Sequence, residues 1–388
     1  MKPSRRAKLM RRYPSIADLR DRARKRIPHV AWEYLDCGLG DEAALARTVE
    51  SMRNVTLVPR FMKGDIQPEV GTTLFGRSFA APFGVAPIGL GGLMWSQVEK
   101  ILAKTAASYS IPYTLSTVAA QTPETVGPLA QEMGWFQLYP PRARELRDEL
   151  IGRVRDAGFN TLVVTADVPA PSRRERTIRA GLRMPPRITP RFIWQGLCNP
   201  SWSARVLRYG LPRLKTMEPY ARSASMRDVV TFVETHMGCG VSWDYLNEIR
   251  DQWQGALILK GILHPGDAEL AVEAGVDGIQ VSNHGARQLD AVPAAIDMLP
   301  AIARQVGGRA SILFDSGVRS GLDVARALAL GADFVMLGRA FVYAVAALGA
   351  DGAELVVELL KLDLKLNMSQ LGFSTVEELK SSAVGVDS

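Results

Sequence analysis

The chain is poor in cysteine and histidine. Only three cysteines, Cys37, Cys198 and Cys239, stand among 388 residues, and none has CxxC spacing. An odd, scattered set implies neither a disulfide framework nor a zinc site, and points to a reducing, cytoplasmic environment. No run of about eighteen apolar residues occurs, which excludes a spanning helix. The first residues are basic with no apolar block behind them, so no secretory signal is expected. Acidic residues are scarce in two stretches. Residues 1–28 hold 11 Lys/Arg against 2 Asp, and Arg173–Met217 holds 11 Lys/Arg against Glu175 alone. The net charge of +7 therefore sits on two basic segments of an otherwise acidic body. Each suggests a surface partner, but no zinc, RRM-like or helix-turn-helix pattern accompanies the charge, so nucleic acid is not indicated. Residues 1–15 read as a solvated arm.

What is abundant is a rhythm. Short runs apolar on both faces recur near 83–88, 112–116, 135–139, 161–166, 256–260, 278–282, 311–314 and 333–337, with helical patterns between most of them. Strands buried on both faces and alternating with helices imply a parallel sheet, and eight units with no ninth imply a closed (β/α)₈ TIM barrel. The pattern divides the chain into an N-terminal arm (1–15), a helical extension (16–80), the barrel (81–365) and a C-terminal tail (366–388). One connection, after the fourth strand, is far too long for a loop and one helix. Its excess, about 176–240, predicts a lid, a binding loop or an attachment segment.

Barrel enzymes gather their chemistry at the C-terminal strand ends. Here those ends carry Gly89, Ser116, Tyr139, Thr165 with Asp167, Lys260, His284 with Arg287, Asp315, and Gly338 with Arg339. A lysine directly after the apolar ALIL is costly unless it meets an anion, which favours a ligand role for Lys260. DSGVRSGLD (315–323) and LGRA (337–340) each place glycine between a strand and a helix, where backbone N–H groups and an arginine can hold phosphate. Their position on the last two units points to a phosphorylated cofactor or substrate.

An ordered set of motifs now stands out: RIPHVAWEYLDCG (26–38), APIG (86–89), LSTVA (115–119), FQLY (136–139), TADVPAPSRRE (165–175), LILKG (257–261), SNHGARQLD (282–290), DSGVRSGLDV (315–324) and LGRAF (337–341). This set resembles the FMN-dependent 2-hydroxy acid dehydrogenases and oxidases. The resemblance implies FMN as cofactor and oxidation of an (S)-2-hydroxy acid to the 2-oxo acid. It implies that His284 is the base, that Asp167 orients it and stabilises the imidazolium, and that Lys260 lies near the flavin. Arg174 and Arg287 would grip the substrate carboxylate, with Tyr34 and Tyr139 hydrogen-bonding the substrate. Ser116, Gln137, Thr165 and Ser282, with Pro87, Ile88 and Gly89, would contact the flavin. Asp315, Gly317, Arg319, Gly338 and Arg339 would hold its ribityl chain and phosphate. His29, His236 and His264 match no role, and His264, before Pro265, reads as a surface or capping residue.

Two features refine the subtype. Gly89, where many oxidases of the family carry alanine, resembles the mandelate dehydrogenase branch and implies poor use of oxygen. MPPRITPRFIWQGLCNPSWSARVLRYGLPRL (184–214) looks like the segment that attaches the family's mandelate and lactate dehydrogenases to membranes. Trp194, Trp202, Phe192 and Leu207 among many arginines suit an interfacial element on an anionic leaflet. The resemblance thus implies a homotetramer at the cytoplasmic face of the inner membrane, passing electrons to a quinone or other acceptor. If the insertion is only a lid, the expectation is a cytoplasmic enzyme. The alternatives are an oxidase that reduces oxygen to hydrogen peroxide and, in a different class, a basic nucleic-acid-binding barrel without catalysis.

Overall fold

Eight short strands that are buried along nearly their whole length close on one another. In this computed structural model, which describes residues 1–182, 189–238 and 240–381, the barrel strands are β3 (Phe83–Val85), β4 (Tyr113–Ser116), β5 (Gly134–Leu138), β6 (Thr161–Thr165), β7 (Ala256–Ile262), β8 (Gly278–Val281), β9 (Ser311–Phe314) and β10 (Phe334–Leu337). They pair in parallel in the order β10-β3-β4-β5-β6-β7-β8-β9 and form a closed barrel. The expected eight-stranded barrel is therefore the observed one. The first strand is shorter than its apolar run because Pro87, lacking an N–H, ends the ladder. Both faces of β4, β5 and β6 are buried, one against the barrel interior and one against the helices.

A two-stranded hairpin, β1 (Thr72–Leu74) and β2 (Arg77–Phe79), precedes the barrel. Phe75 and Gly76 both have positive φ, as a two-residue hairpin turn of matching twist requires. Phe75 and Phe79 pack with Trp135, and Phe79 and Trp135 with Phe334. This aromatic cluster closes the N-terminal end of the barrel and leaves the opposite rim for chemistry.

The first fifteen residues, expected as a solvated arm, stay largely exposed, and within them residues Pro3–Arg12 form a helix. Its cations meet the acidic face of the long helix Ala350–Leu371: the terminal ammonium pairs with Glu354, Arg5 with Asp351 and Arg6 with Glu358. Charge that looks unpartnered in sequence is complemented from the far end of the chain. That same long helix carries regular structure past residue 365, and a short helix, Val376–Ser381, follows it.

The long connection after β6 holds the helices Glu175–Arg179, Pro190–Cys198, Pro200–Tyr209 and Met226–His236 before the expected helix Trp243–Gln252. Residues 183–188 of the basic segment, and Cys239, lie outside the described residues. The expected interfacial quartet is split by the fold. Trp194 and Leu207 are exposed, at 66% and 88%, whereas Trp202 is buried at 3% and Phe192 packs edge-on against it. Trp202 donates its indole N–H to Leu93 O at 2.9 Å, and Arg205 donates to Ser96 O. Trp202 faces inward because it clamps the insertion onto the loop after β3. No helix among the described residues is long and apolar enough to cross a membrane.

Candidate active site

The rim formed by the strand ends surrounds a cavity of about 240 Å³. Its walls are built from the ends of several strands, and it brings together most of the residues singled out in the sequence. Tyr34, Pro87, Ile88, Gly89, Gln137, Tyr139, Thr165, Arg174, Lys260, His284, Arg287, Asp315, Gly317, Arg319, Gly338 and Arg339 all line it. Ser116 and Ser282 stand behind this wall. The Ser116 hydroxyl donates to Gln137 Oε1 at 2.8 Å, and Gln137 Nε2 donates to Thr165 Oγ1 at 2.9 Å. Ser282 Oγ donates to Asp315 Oδ1 at 2.5 Å and accepts from Lys260 Nζ at 2.8 Å. The two serines thus fix the polar groups that face the cavity.

Asp167, just past β6, lies 2.9 Å from His284 Nδ1 through its Oδ1. The other ring nitrogen, Nε2, lies 3.4 Å from the Tyr139 hydroxyl. Burial pushes the His284 imidazole below the usual histidine value, against the opposing pull of Asp167; Lys260 and Arg174 add to the lowering. A neutral imidazole backed by a carboxylate can accept a proton and be stabilised once it has done so. Burial opposes the Asp167 carboxylate, but its interactions with His284 and Lys260 hold its pKa below the usual value. Burial opposes the Lys260 ammonium, but Asp315 at 3.3 Å and Asp167 at 3.9 Å keep its pKa raised. Tyr139 is pushed up to about 12, by burial first and then by Asp167, so its hydroxyl keeps its proton.

The backbone around His284 is unusual. His284, Gly285 and Ala286 have φ of 57°, 64° and 60°, three successive left-handed residues. A histidine in that region is strained and needs its surroundings to hold it. Ser282 Oγ accepts from the His284 N–H, Ser316 Oγ accepts from the Gly285 N–H, and Asn283 Oδ1 accepts from the Ala286 N–H. Asn283 in turn donates to Thr48 Oγ1 and Pro293 O. Asn283, Ser316 and Thr48 are absent from the sequence-based site. The first two sit inside the quoted motifs, and their only signal was a polar side chain beside a glycine turn. Leu35, Met94, Val118 and Met336 also line the cavity and supply its apolar wall.

Four arginines face this space: Arg174, Arg287, Arg319 and Arg339. Among the described residues none of them is ion-paired with a carboxylate. Arg339 donates to the carbonyl oxygens of Leu35, Gly285 and Cys37, and Arg287 donates to Leu35 O. Arg174 Nε is buried without a partner. Arg287 and Arg174 also lie over the Tyr34 ring, with Cζ at 5.2 and 6.0 Å from its centroid. Burial, then Arg174 and Arg339, push Arg287 down to about 10, and burial also lowers Arg319. Half-buried cations without counter-ions call for an anionic ligand. Arg174 and Arg287 stand with Tyr34, while Arg319 and Arg339 follow the glycine turns after β9 and β10. This arrangement suits two separate anionic groups. The remaining histidines lie elsewhere, and His264 Nδ1 accepts from the Gly266 N–H as the expected cap.

The profile of the FMN-dependent dehydrogenase family matches residues 23–386. An L-lactate dehydrogenase of Caulobacter sp. (strain K31) is 39% identical over 370 residues, covering 95% of this chain and 97% of the relative. One from Serratia proteamaculans (strain 568) is 38% identical over 369 residues, with the same coverage. Among solved structures, the monotopic membrane protein (S)-mandelate dehydrogenase superposes with a TM-score of 0.89 at 30% identity, covering 94% of this chain and 97% of that one. A mandelate oxidase superposes at 0.80 and 31% identity, covering 95% and 97%. With its barrel, its unpaired arginines and a match along almost its whole length, the chain belongs to the FMN-dependent dehydrogenase family.

Proposed function

We propose that the protein oxidises an (S)-2-hydroxy acid to the 2-oxo acid and passes the electrons to a membrane quinone or another external acceptor. The observation that carries this reading is the set of four half-buried arginines, none ion-paired with a carboxylate among the described residues, around the His284–Asp167 pair. Bound FMN would supply the two-electron sink. The residues present fit it: Arg319 and Arg339, with Asp315 and the turns at Gly317 and Gly338, would hold its ribityl phosphate. Gln137, Thr165 and Lys260, braced by Ser116 and Ser282, would meet its polar ring edge, with Pro87, Ile88 and Gly89 on the neighbouring strand end. Arg174 and Arg287 grip the substrate carboxylate bidentately, a task guanidinium geometry suits. Tyr34 and Tyr139 orient the substrate, and His284 Nε2 takes a proton from it. Asp167 then stabilises the imidazolium, and Lys260 supplies fixed positive charge where negative charge develops.

Anaerobic addition of L-lactate or (S)-mandelate is expected to bleach the bound flavin. A flavin unbleached by either sinks the reading. The lactate relatives and the mandelate structure divide the substrate question, and the faster bleaching agent answers it. Hydrogen peroxide formed in air as fast as a dye is reduced would favour an oxidase. Gly89 argues for poor use of oxygen.

Membrane association draws support from exposed Ile193, Trp194, Leu197, Leu207 and Tyr209, interspersed with arginines on two insertion helices. Such surfaces lie in an interface rather than span it. A homotetramer on the cytoplasmic face of the inner membrane extends the proposal by family resemblance, and sedimentation with cell fractionation tests both parts.

A further inference from the structure

Where the helix Ile16–Arg24, the loop at residue 95 and the insertion helix Pro200–Tyr209 meet, arginines gather that the catalytic rim does not use. Arg26 and Arg205 both lie over the Trp95 ring, with Cζ at 4.3 and 5.0 Å from its centroid. Arg22 and Arg26 donate to the carbonyl oxygens of Ala346 and Ala347, at the end of the helix Arg339–Leu348. Arg208, one turn from Arg205, lies over Tyr209, and Arg205 also contacts that ring. Among the described residues, Arg22, Arg26, Arg205 and Arg208 form no ion pair with a carboxylate.

Helix-end carbonyls account for Arg22 and Arg26 in part, since cations are favoured at a helix C-terminus. They do not account for Arg205, which reaches in from the insertion. Two polar groups inside this cluster are buried without a hydrogen-bond partner: Arg205 Nε and Trp95 Nε1, the latter on a side chain only 2% exposed. Burial lowers the pKa of Arg26, with Arg22 and Arg205 adding to it, and burial likewise lowers that of Arg205, with Arg208 adding to it. Half-buried like charges with spare donors suit an oxyanion that several guanidinium forks can share.

We propose that the Arg26–Trp95–Arg205 cluster is a binding site for a phosphate-bearing anion, and that its occupant is the headgroup of an anionic membrane phospholipid. The source is argued from what adjoins the cluster. Leu207 and Tyr209 on the same helix, and Ile193, Trp194 and Leu197 on the preceding one, are exposed apolar surface that acyl chains would cover. Free phosphate would leave it bare. The inference rests on the membrane reading above, and adds to it a defined headgroup contact on the seam between the N-terminal helices and the insertion.

The test compares flavin-loaded full-length protein with Arg205→Gln and Arg191→Gln for binding to vesicles of phosphatidylglycerol mixed with phosphatidylcholine, and to vesicles of phosphatidylcholine alone. Arg191 is exposed on the helix Pro190–Cys198, so its variant removes the same charge from the same surface outside the cluster. Activity with a soluble dye verifies that each variant is folded. Arg205→Gln is expected to weaken binding to the anionic vesicles by more than about tenfold, and Arg191→Gln by no more than about fivefold, the contribution of one surface cation. Equal losses in the two variants would reduce the site to diffuse electrostatics and overturn it. If the native protein and Arg205→Gln bind the anionic vesicles equally well, the headgroup site falls while the membrane reading stands. If the native protein binds neither vesicle, the membrane reading falls and takes this site with it. Inorganic phosphate that changes tryptophan emission in the native protein but not in Trp95→Phe, without vesicle binding, would assign the cluster to a free anion and overturn the lipid.

Discussion

At the scale of single residues, His284 carries the sharpest constraint. Its burial favours the neutral ring, and Asp167 alone among its near charges pulls the other way. A base with a depressed pKa is active above that pKa and inactive once protonated below it. The acid limb of kcat/KM in the free enzyme is therefore expected below the ordinary histidine value of 6.5. Replacing Asp167 by asparagine removes the charge that raises His284, so the limb should move to still lower pH. The same change removes the partner of the imidazolium, so kcat should fall, by roughly 100-fold or more. A pH profile of the two proteins checks both signs. A limb that stays in place, or moves up, means that Asp167 is not coupled to the base.

At the scale of elements, β7 shows how a strand can aim a side chain into the cavity. Its pairing with β8 slips between Lys260 and Ile262, and Gly261 sits at the irregularity with φ of 104°. A Cβ there would lie 2.5 Å from Asp167 Cβ and Cγ. Only glycine lets the bulge pass so close to the carboxylate that holds His284. Gly261→Ala is thus expected to displace Asp167 and lower kcat by about 100-fold. FMN should still bind, because Arg319 and Arg339 lie on other strand ends. Stopped-flow flavin reduction beside a flavin titration separates the two effects, and a native reduction rate would deny Gly261 this part. The bulge also marks where sequence reasoning stops. The strands were legible because both of their faces are apolar, and the rim residues because each follows a strand directly. Gly261 read only as the end of LILKG, since its neighbour Asp167 is brought in by another strand. Asn283 and Ser316 were hidden for the same reason: their work is to hold a strained loop, which exists only after folding. Trp202 was misread because a tryptophan among arginines has the same composition whether it faces a membrane or Leu93.

At the scale of the whole molecule, the two ends of the chain meet, and the nature of that contact decides how it responds to salt. The helix Pro3–Arg12 has no fully buried residue, and only Met1, Leu9 and Met10 near it pack partly against the core. Its evident ties are the three ion pairs to Asp351, Glu354 and Glu358. Pairs at partly exposed positions contribute about 0–1 kcal/mol each and are screened by salt, whereas apolar contact is not. Removing residues 1–12 should therefore cost up to about 3 kcal/mol at low ionic strength. Most of that difference should vanish in roughly 1 M salt, where the screening length is near 3 Å. Urea unfolding of the full and shortened chains at both ionic strengths gives the comparison. A loss that persists undiminished in high salt would mean that Met1, Leu9 and Met10, not the ion pairs, hold the helix in place. The distinction bears on the proposed membrane surface as well: the helix's cations are committed to Asp351, Glu354 and Glu358, whereas Arg26 and Arg205 bond only backbone carbonyls and have no carboxylate partner among the described residues.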